Sequence, residues 1–249
     1  MRKNYKITLS YDGTRYLGWE KQKNSGQTIQ GKLETVLTKM TDSIQPVNVI
    51  GAGRTDAGVH AKAMVCNASF ETSLSPLEIK NCVNHYLPDD ICVTDIHEAS
   101  GRFHSRYNAT GKTYCYTCYA GNNKPVFNRK YVYTLNVKPD IALMKAAAEF
   151  CIGTHDFKCF CANSKMKKST VRTIYSIRII EKNGYIFFYY NGNGFLYHMV
   201  RILTGTLLEI GFHKKSVDDM QSILHSRDRS NAGFTAPAQG LCLESVDYS

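Results

Sequence analysis

The sequence contains no apolar run approaching the ~20 residues that a membrane-spanning helix needs, which excludes a helical membrane protein. No secretory leader is expected, because Met1-Arg2-Lys3-Asn4-Tyr5 passes straight into alternating, strand-like residues with no apolar segment between. Low-complexity tracts are missing too. With 43% hydrophobic and 21% charged residues, disordered, collagen-like and coiled-coil chains are excluded. The nine cysteines are odd in number and scattered, so a reduced, cytoplasmic protein is expected rather than a disulfide framework. Acidic residues are in deficit: 31 Lys+Arg face 21 Asp+Glu, a net charge of +10 over 249 residues. Polyanions shed counterions when Lys and Arg replace them, so nucleic acid is the first candidate partner. Sixteen Tyr and eleven Phe tilt the choice toward RNA, because aromatics stack on unpaired bases, although most must serve the core.

Periodicity supplies the elements. Tyr5 to Tyr11 alternates as a half-buried strand and ends in the turn residues Asp12-Gly13-Thr14. Ile29, Leu33, Val36, Leu37 and Met40 share one helix face. Asn48–Ile50 and Met64–Cys66 read as strands flanking a glycine-rich loop. Ser75-Pro76-Leu77-Glu78 carries a capping box for a helix that must stop before Pro88, and Ile91–Ile96 follows as a strand.

Further on, Lys112–Tyr119 is strand-like and a helix runs from near Pro139 to Cys151. Asn183-Gly184 joins the β-rich runs Val171–Ile180 and Tyr185–Tyr190 as a hairpin. Phe195–Ile210 is expected as the longest helix, ending at Gly211. Ser216–Asp219 caps a last helix, and Leu241–Val246 forms a final strand. The class is therefore α+β, with an N-terminal half over residues 1–105 and a C-terminal half over 106–249. No linker separates the halves, so a shared interface with a ligand cleft is expected.

Several motifs fail on inspection. Gly111-Lys112-Thr113 mimics the end of a phosphate-binding loop, but Arg106 stands where the earlier glycine is needed and Lys112 opens a strand. Cys115 and Cys118 have metal-site spacing, yet residues three apart on a strand point to opposite faces. Cys151, His155, Cys159 and Cys161 form a looser zinc candidate without the usual ligand pairs, set against buried free thiols. His155-Asp156 has no nucleophile elbow to serve, and a local turn bond is the plainer role.

The segment Gly51-Ala52-Gly53-Arg54-Thr55-Asp56-Ala57-Gly58-Val59-His60-Ala61 differs in kind. Its glycines permit close approach of a ligand or positive φ. Among them stand a cation, a carboxylate and an imidazole. Asp56 has two readings: a turn residue bonding its own backbone, or a carboxylate kept ionised by a nearby cation for chemistry.

This loop resembles the signature of the TruA family of tRNA pseudouridine synthases, and further blocks resemble the family in family order. They are Tyr11-Asp12-Gly13, Gly18-Trp19, Thr28-Ile29-Gln30, Leu87-Pro88-Asp89-Asp90, Phe103-His104-Ser105-Arg106-Tyr107 and Lys112-Thr113-Tyr114. Gly153–Phe157, Gly194–Arg201 and Arg227-Asp228-Arg229 complete the series. The resemblance implies two ferredoxin-like α+β halves with antiparallel sheets merged around a central basic cleft. It implies an isomerase that turns uridine into pseudouridine at positions 38, 39 and 40 of the tRNA anticodon arm. It also implies a homodimer with no cofactor, metal or membrane attachment.

Residue by residue, Asp56 matches the family's catalytic aspartate, Arg201 the arginine paired with it, and Tyr114 the tyrosine over the target base, set against a plain sheet-packing aromatic. Arg54 matches a residue holding the flipped nucleotide. His60 either supports the loop or touches phosphate. Phe103, His104 and Arg106 are candidate RNA contacts, whereas Lys165–Lys168 is either such a contact or a solvated loop. His198 is at least as well explained as a packed helix histidine.

Glu20, Met64 and Cys115 depart from the family pattern, where Gln, Gln and Arg are common; this bears on substrate choice and allows a paralogue with shifted targets. Two other functions compete: a non-catalytic RNA-binding chaperone, and a hydrolase that excises the base.

Overall fold

A computed structural model describes residues 1–249. They form two compact units, one of residues 1–110 with 243–249 and the other of residues 111–242. The last seven residues thus return to the first unit, an excursion that the expected division at 105/106 does not contain.

The first unit follows the order β1 (Lys3–Tyr11), α1 (Ile29–Met40), β2 (Val49–Gly51), β3 (His60–Phe70), α2 (Pro76–Tyr86), β4 (Ile91–Ala99). Its strands lie β4-β1-β3 with β2 added to β3, all antiparallel. This is the βαββαβ arrangement of a ferredoxin-like fold. Alternation explains the burial of β1: Tyr5, Ile7, Leu9 and Tyr11 point inward while Lys6, Thr8 and Ser10 do not. The apolar face of α1, with Ile29, Leu33 and Leu37 fully buried, completes the core together with Ile79 and Val83 of α2.

Both helix starts are chemically fixed. Thr28 Oγ1 accepts from Gly31 N at 3.2 Å, and Ser75 with Glu78 forms the expected capping box.

The second unit contains all but the first two residues of β5 (Ala109–Tyr119), then β6 (Tyr133–Thr134), α3 (Ile141–Glu149), β7 (Gly153–Asp156), β8 (Val171–Lys182), β9 (Tyr185–Gly192), α4 (Met199–Gly211) and α5 (Asp219–Ser226), and β10 (Leu241–Tyr248) begins in it. Its strands run β5-β9-β8-β7 in antiparallel pairs, with β6 parallel on β5. The β8–β9 hairpin turns on Asn183 (φ 52°) and Gly184 (φ 79°), the two positive φ values of a type I′ turn. One face of β9, Ile186, Phe188 and Tyr190, is buried; Tyr190 reaches Thr204 of α4, with Oη 2.9 Å from Oγ1.

The expected helix over Phe195–Ile210 is corrected by the structure: α4 begins only at Met199. The Tyr197 carbonyl accepts from Ala162 N at 3.1 Å, and His198 takes a left-handed conformation at φ 61°. Those tertiary demands override the helical pattern of the preceding residues.

Candidate active site

The Asp56 loop joins β2 to β3 and is held from inside by the segment that follows β1. Asp56 O accepts from Val59 N at 3.2 Å, closing a turn in which Gly58 has φ 77°. Gly58 N donates to Tyr16 O at 3.3 Å, and Trp19 N donates to Thr55 O at 3.0 Å. The side chain of Thr55 is buried against Tyr11, Oγ1 lying 2.8 Å from Oη. Two glycines allow this approach. A Cβ on Gly13 would stand 2.0 Å from Val59 O; one on Gly18, at φ 98°, would stand 2.6 Å from Thr55 O. The clamp thus fixes Thr55 beneath the chain and leaves Asp56 partly exposed beside it.

The clamp is itself braced. Asp90 Oδ1 accepts from Tyr16 Oη at 2.6 Å, its Oδ2 accepts from Arg15 Nε at 2.8 Å, and its carbonyl accepts from Asp12 N at 2.9 Å. Burial, then the Asp90 carboxylate, raise the Tyr16 phenol well above the ordinary range, so it acts as a donor here. Tyr11-Asp12-Gly13, Gly18-Trp19 and Leu87–Asp90 are therefore one mechanical assembly under Asp56.

His60 is buried, 5% exposed, with Nδ1 3.0 Å from Gly13 N and 3.1 Å from Asp12 Oδ1. A backbone N–H has only a donor to offer, so Nδ1 accepts from Gly13 and the ring ties the loop's far end to the clamp. Arg54 is exposed and its Nη2 lies 2.5 Å from Glu20 Oε1. Of the three departures from the family pattern, Glu20 alone is exposed; Met64 and Cys115 are buried.

Phe103 and Arg106 lie on the segment between β4 and β5. Ser105 pins that segment to the base of the Asp56 loop: Oγ donates to Ile50 O at 2.5 Å, and N donates to Asn67 Oδ1 at 2.9 Å. Asn67 Nδ2 donates to Asn4 Oδ1 at 3.2 Å, and Asn4 Nδ2 donates to the Ser100 and Phe103 carbonyls. The positioning residues Asn4, Asn67 and Ser105 were missed from sequence; a buried polar triad shows itself only through its partners. Phe103 packs against Tyr248, ring centroids 5.3 Å apart, under Lys6. Arg106 is exposed.

In the second unit Tyr114 of β5 is buried, 8% exposed, with its ring edge-on to Phe195 at 5.3 Å. Arg201 stands in the first turn of α4, where Nε donates to Ala236 O at 2.7 Å and its own carbonyl accepts from Ala236 N at 3.1 Å. Tyr116 Oη donates to the neighbouring Pro237 carbonyl at 2.8 Å, so this segment is held from two sides.

The zinc candidate does not assemble: His, Cys, Asp and Glu nowhere gather in a metal-ligating group of three. Cys151 and Cys159 are fully buried and burial raises both thiols, Cys159 to about 12. His155 Nε2 meets Ile152 O at 2.9 Å, and Asp156 accepts from Thr170 Oγ1 and Lys158 N. Lys165, Lys167 and Lys168 are exposed on a loop whose Met166 rests on Cys161. His198 stacks on Tyr197, ring centroids 3.8 Å apart.

The protein is thus a net basic α+β chain with a ferredoxin-like unit that displays a carboxylate on a doubly braced loop. Comparison with known proteins makes the class specific. The family described as tRNA pseudouridine synthase matches residues 7–108 and 146–249. The tRNA pseudouridine synthase A of Clostridium kluyveri is 46% identical over 99% of this chain and 100% of its own length. That of Clostridium acetobutylicum is 44% identical over the same shares. The tRNA pseudouridine synthase A 2 of Bacillus cereus is 40% identical over 98% of this chain and 99% of its own. Among solved structures, a Cbf5-Nop10-Gar1 complex overlays at TM-score 0.36 and 11% identity over 96% of this chain and 48% of that chain, about half its length. The chain belongs to the TruA family of tRNA pseudouridine synthases.

Proposed function

We propose that this chain converts uridine to pseudouridine in the anticodon arm of tRNA, at positions 38, 39 and 40, with Asp56 as its catalytic carboxylate. The observation that carries the reading is the full-length similarity to tRNA pseudouridine synthase A sequences, and the braced Asp56 loop supports it. The reaction breaks the bond from uracil N1 to ribose C1′, turns the base, joins C5 to C1′, and moves the C5 proton to solvent while N1 regains one. No electrons change hands, so no redox cofactor is called for.

Either route, attack of the carboxylate on C1′ or its assistance to a glycal, uses ionised Asp56 and an arginine that never deprotonates; Arg201 is that arginine. Tyr114 lies over the base and assists loss of the C5 proton. Arg54 holds the extruded nucleotide, offsetting part of the few kcal/mol that unstacking costs. Phe103 and Arg106 are assigned to RNA binding, and His60 to keeping the loop in shape. Residues 1–105 supply the carboxylate loop and 106–249 supply Tyr114 and Arg201.

Two further assignments belong to this reading. The protein works in the cytoplasm, beside its tRNA; no helix is long and apolar enough to cross a membrane. It acts as a homodimer, and one face of β9 supports a partner. Tyr185, Phe187 and Tyr189 form a ladder of rings there, 6.0 and 6.4 Å apart, with exposed Ile180 of β8 opposite Phe187. Sedimentation equilibrium should give twice the mass of one chain, and a monomer at micromolar concentration would remove the dimer.

The function itself is tested on an unmodified tRNA transcript. After incubation, a carbodiimide that persists on pseudouridine should stop reverse transcription at positions 38 to 40. Stops elsewhere would reassign the substrate uridines, and none with any tRNA would reject the activity.

A further inference from the structure

We infer that Tyr107 is a preformed stacking platform for an unpaired base of the RNA, a deepening of the proposed function that rests on it. Tyr107 is 81% exposed, a costly display for a large aromatic ring. Its ring is nevertheless held, lying 4.2 Å from the His104 ring at a tilt of 32°.

The backbone beneath is held as well. His104 Nδ1 accepts from Arg106 N at 3.2 Å and from Tyr107 N at 3.3 Å. His104 N donates to Asn108 Oδ1 at 2.7 Å, and Asn108 N donates back to His104 O at 3.0 Å. Through the Ser105 hydroxyl the whole turn is anchored to Ile50 O, at the root of the Asp56 loop. An exposed aromatic on a mobile loop would lose ordering entropy on binding; one already fixed binds with most of that cost removed.

The surroundings select the occupant. Residues 100–108 carry Arg102 and Arg106 and no carboxylate, and both arginines are exposed. An exposed aromatic face on a segment that also carries two exposed arginines fits a nucleobase with its flanking phosphates, because stacking suits any base and the cations meet the backbone. Of the three ring-bearing side chains in residues 100–108, Phe103 packs on Tyr248 and His104 Nδ1 is taken by backbone N–H groups, so Tyr107 is the stacking surface.

The test uses a tRNA anticodon stem-loop with 2-aminopurine placed in turn at each unpaired loop position. The unaltered protein should quench fluorescence at one position. Tyr107→Ala should abolish that quenching and weaken binding about 10-fold, within the range for lost base stacking, with KM raised and kcat little changed. Tyr107→Phe, which keeps the ring, should restore both.

Unchanged quenching and affinity in Tyr107→Ala would overturn the platform while leaving the isomerase reading intact. So would a changed oligomeric state with unchanged RNA affinity, which would make the ring a contact between copies. Failure of the unaltered protein to bind the stem-loop would overturn both.

Discussion

Arg54 already has a competitor for any phosphate it would hold. Glu20 Oε1 sits 2.5 Å from its guanidinium, and both side chains are more than half exposed. An exposed pair of this kind is worth at most about 1 kcal/mol and weakens as salt rises. Releasing Arg54 with Glu20→Gln should therefore tighten tRNA binding by up to about five-fold in low salt, the gain shrinking toward nothing at high salt. Equal affinities for the two proteins at low ionic strength would show that Arg54 does not meet the RNA backbone. At this scale the sequence was informative where a residue belongs to a motif: Arg54, Asp56 and His60 all lie on the loop that was singled out. It is silent on Asn4 and Asn67 and gives Ser105 no role beyond membership of a family-like block, because each is an ordinary polar residue until the fold buries them together.

Elements whose cause is local were legible. The capping box of α2 spans four consecutive residues and the β8–β9 turn needs two, so both could be read without knowing any tertiary neighbour. Elements whose cause is distant were not. The strands β6 and β7 are short and exist through pairing, β6 on Cys118 and Tyr119, β7 on residues 171 to 174 of β8. The late start of α4 likewise depends on Ala162 capturing the Tyr197 carbonyl.

The α2 cap also has a pH signature. The Ser75 hydroxyl, then the Ser75 backbone N–H, hold the Glu78 carboxyl below its ordinary value of 4.5. A depressed carboxyl contributes stability above its unfolded pKa, lost as pH falls through the folded one. Thermal melts should therefore show Ser75→Ala below the unaltered protein at pH 7, with the gap narrowing below pH 4.5. A gap independent of pH would mean that the Ser75–Glu78 contact is not what stabilises the helix start.

For the whole molecule, the charge of +10 and the full-length family match point the same way. A basic chain that binds tRNA through phosphates must lose affinity steeply as salt rises, yet a chaperone with the same charge would behave identically. Binding therefore says nothing about the chemistry, and the decisive property is the fate of the hydrogen on uridine C5. An isomerase must expel it, because C5 becomes the carbon joined to ribose; a hydrolase or a chaperone leaves it in place.

The central measurement is tritium release from unmodified tRNA labelled at uridine C5, made with the unaltered protein, Asp56→Ala and Tyr114→Phe. The unaltered protein should release tritium. Asp56→Ala should release none while binding tRNA with little change, and Tyr114→Phe should release it far more slowly. Release by Asp56→Ala at a near-normal rate would contradict the account, since no other assigned residue could then take the carboxylate's part.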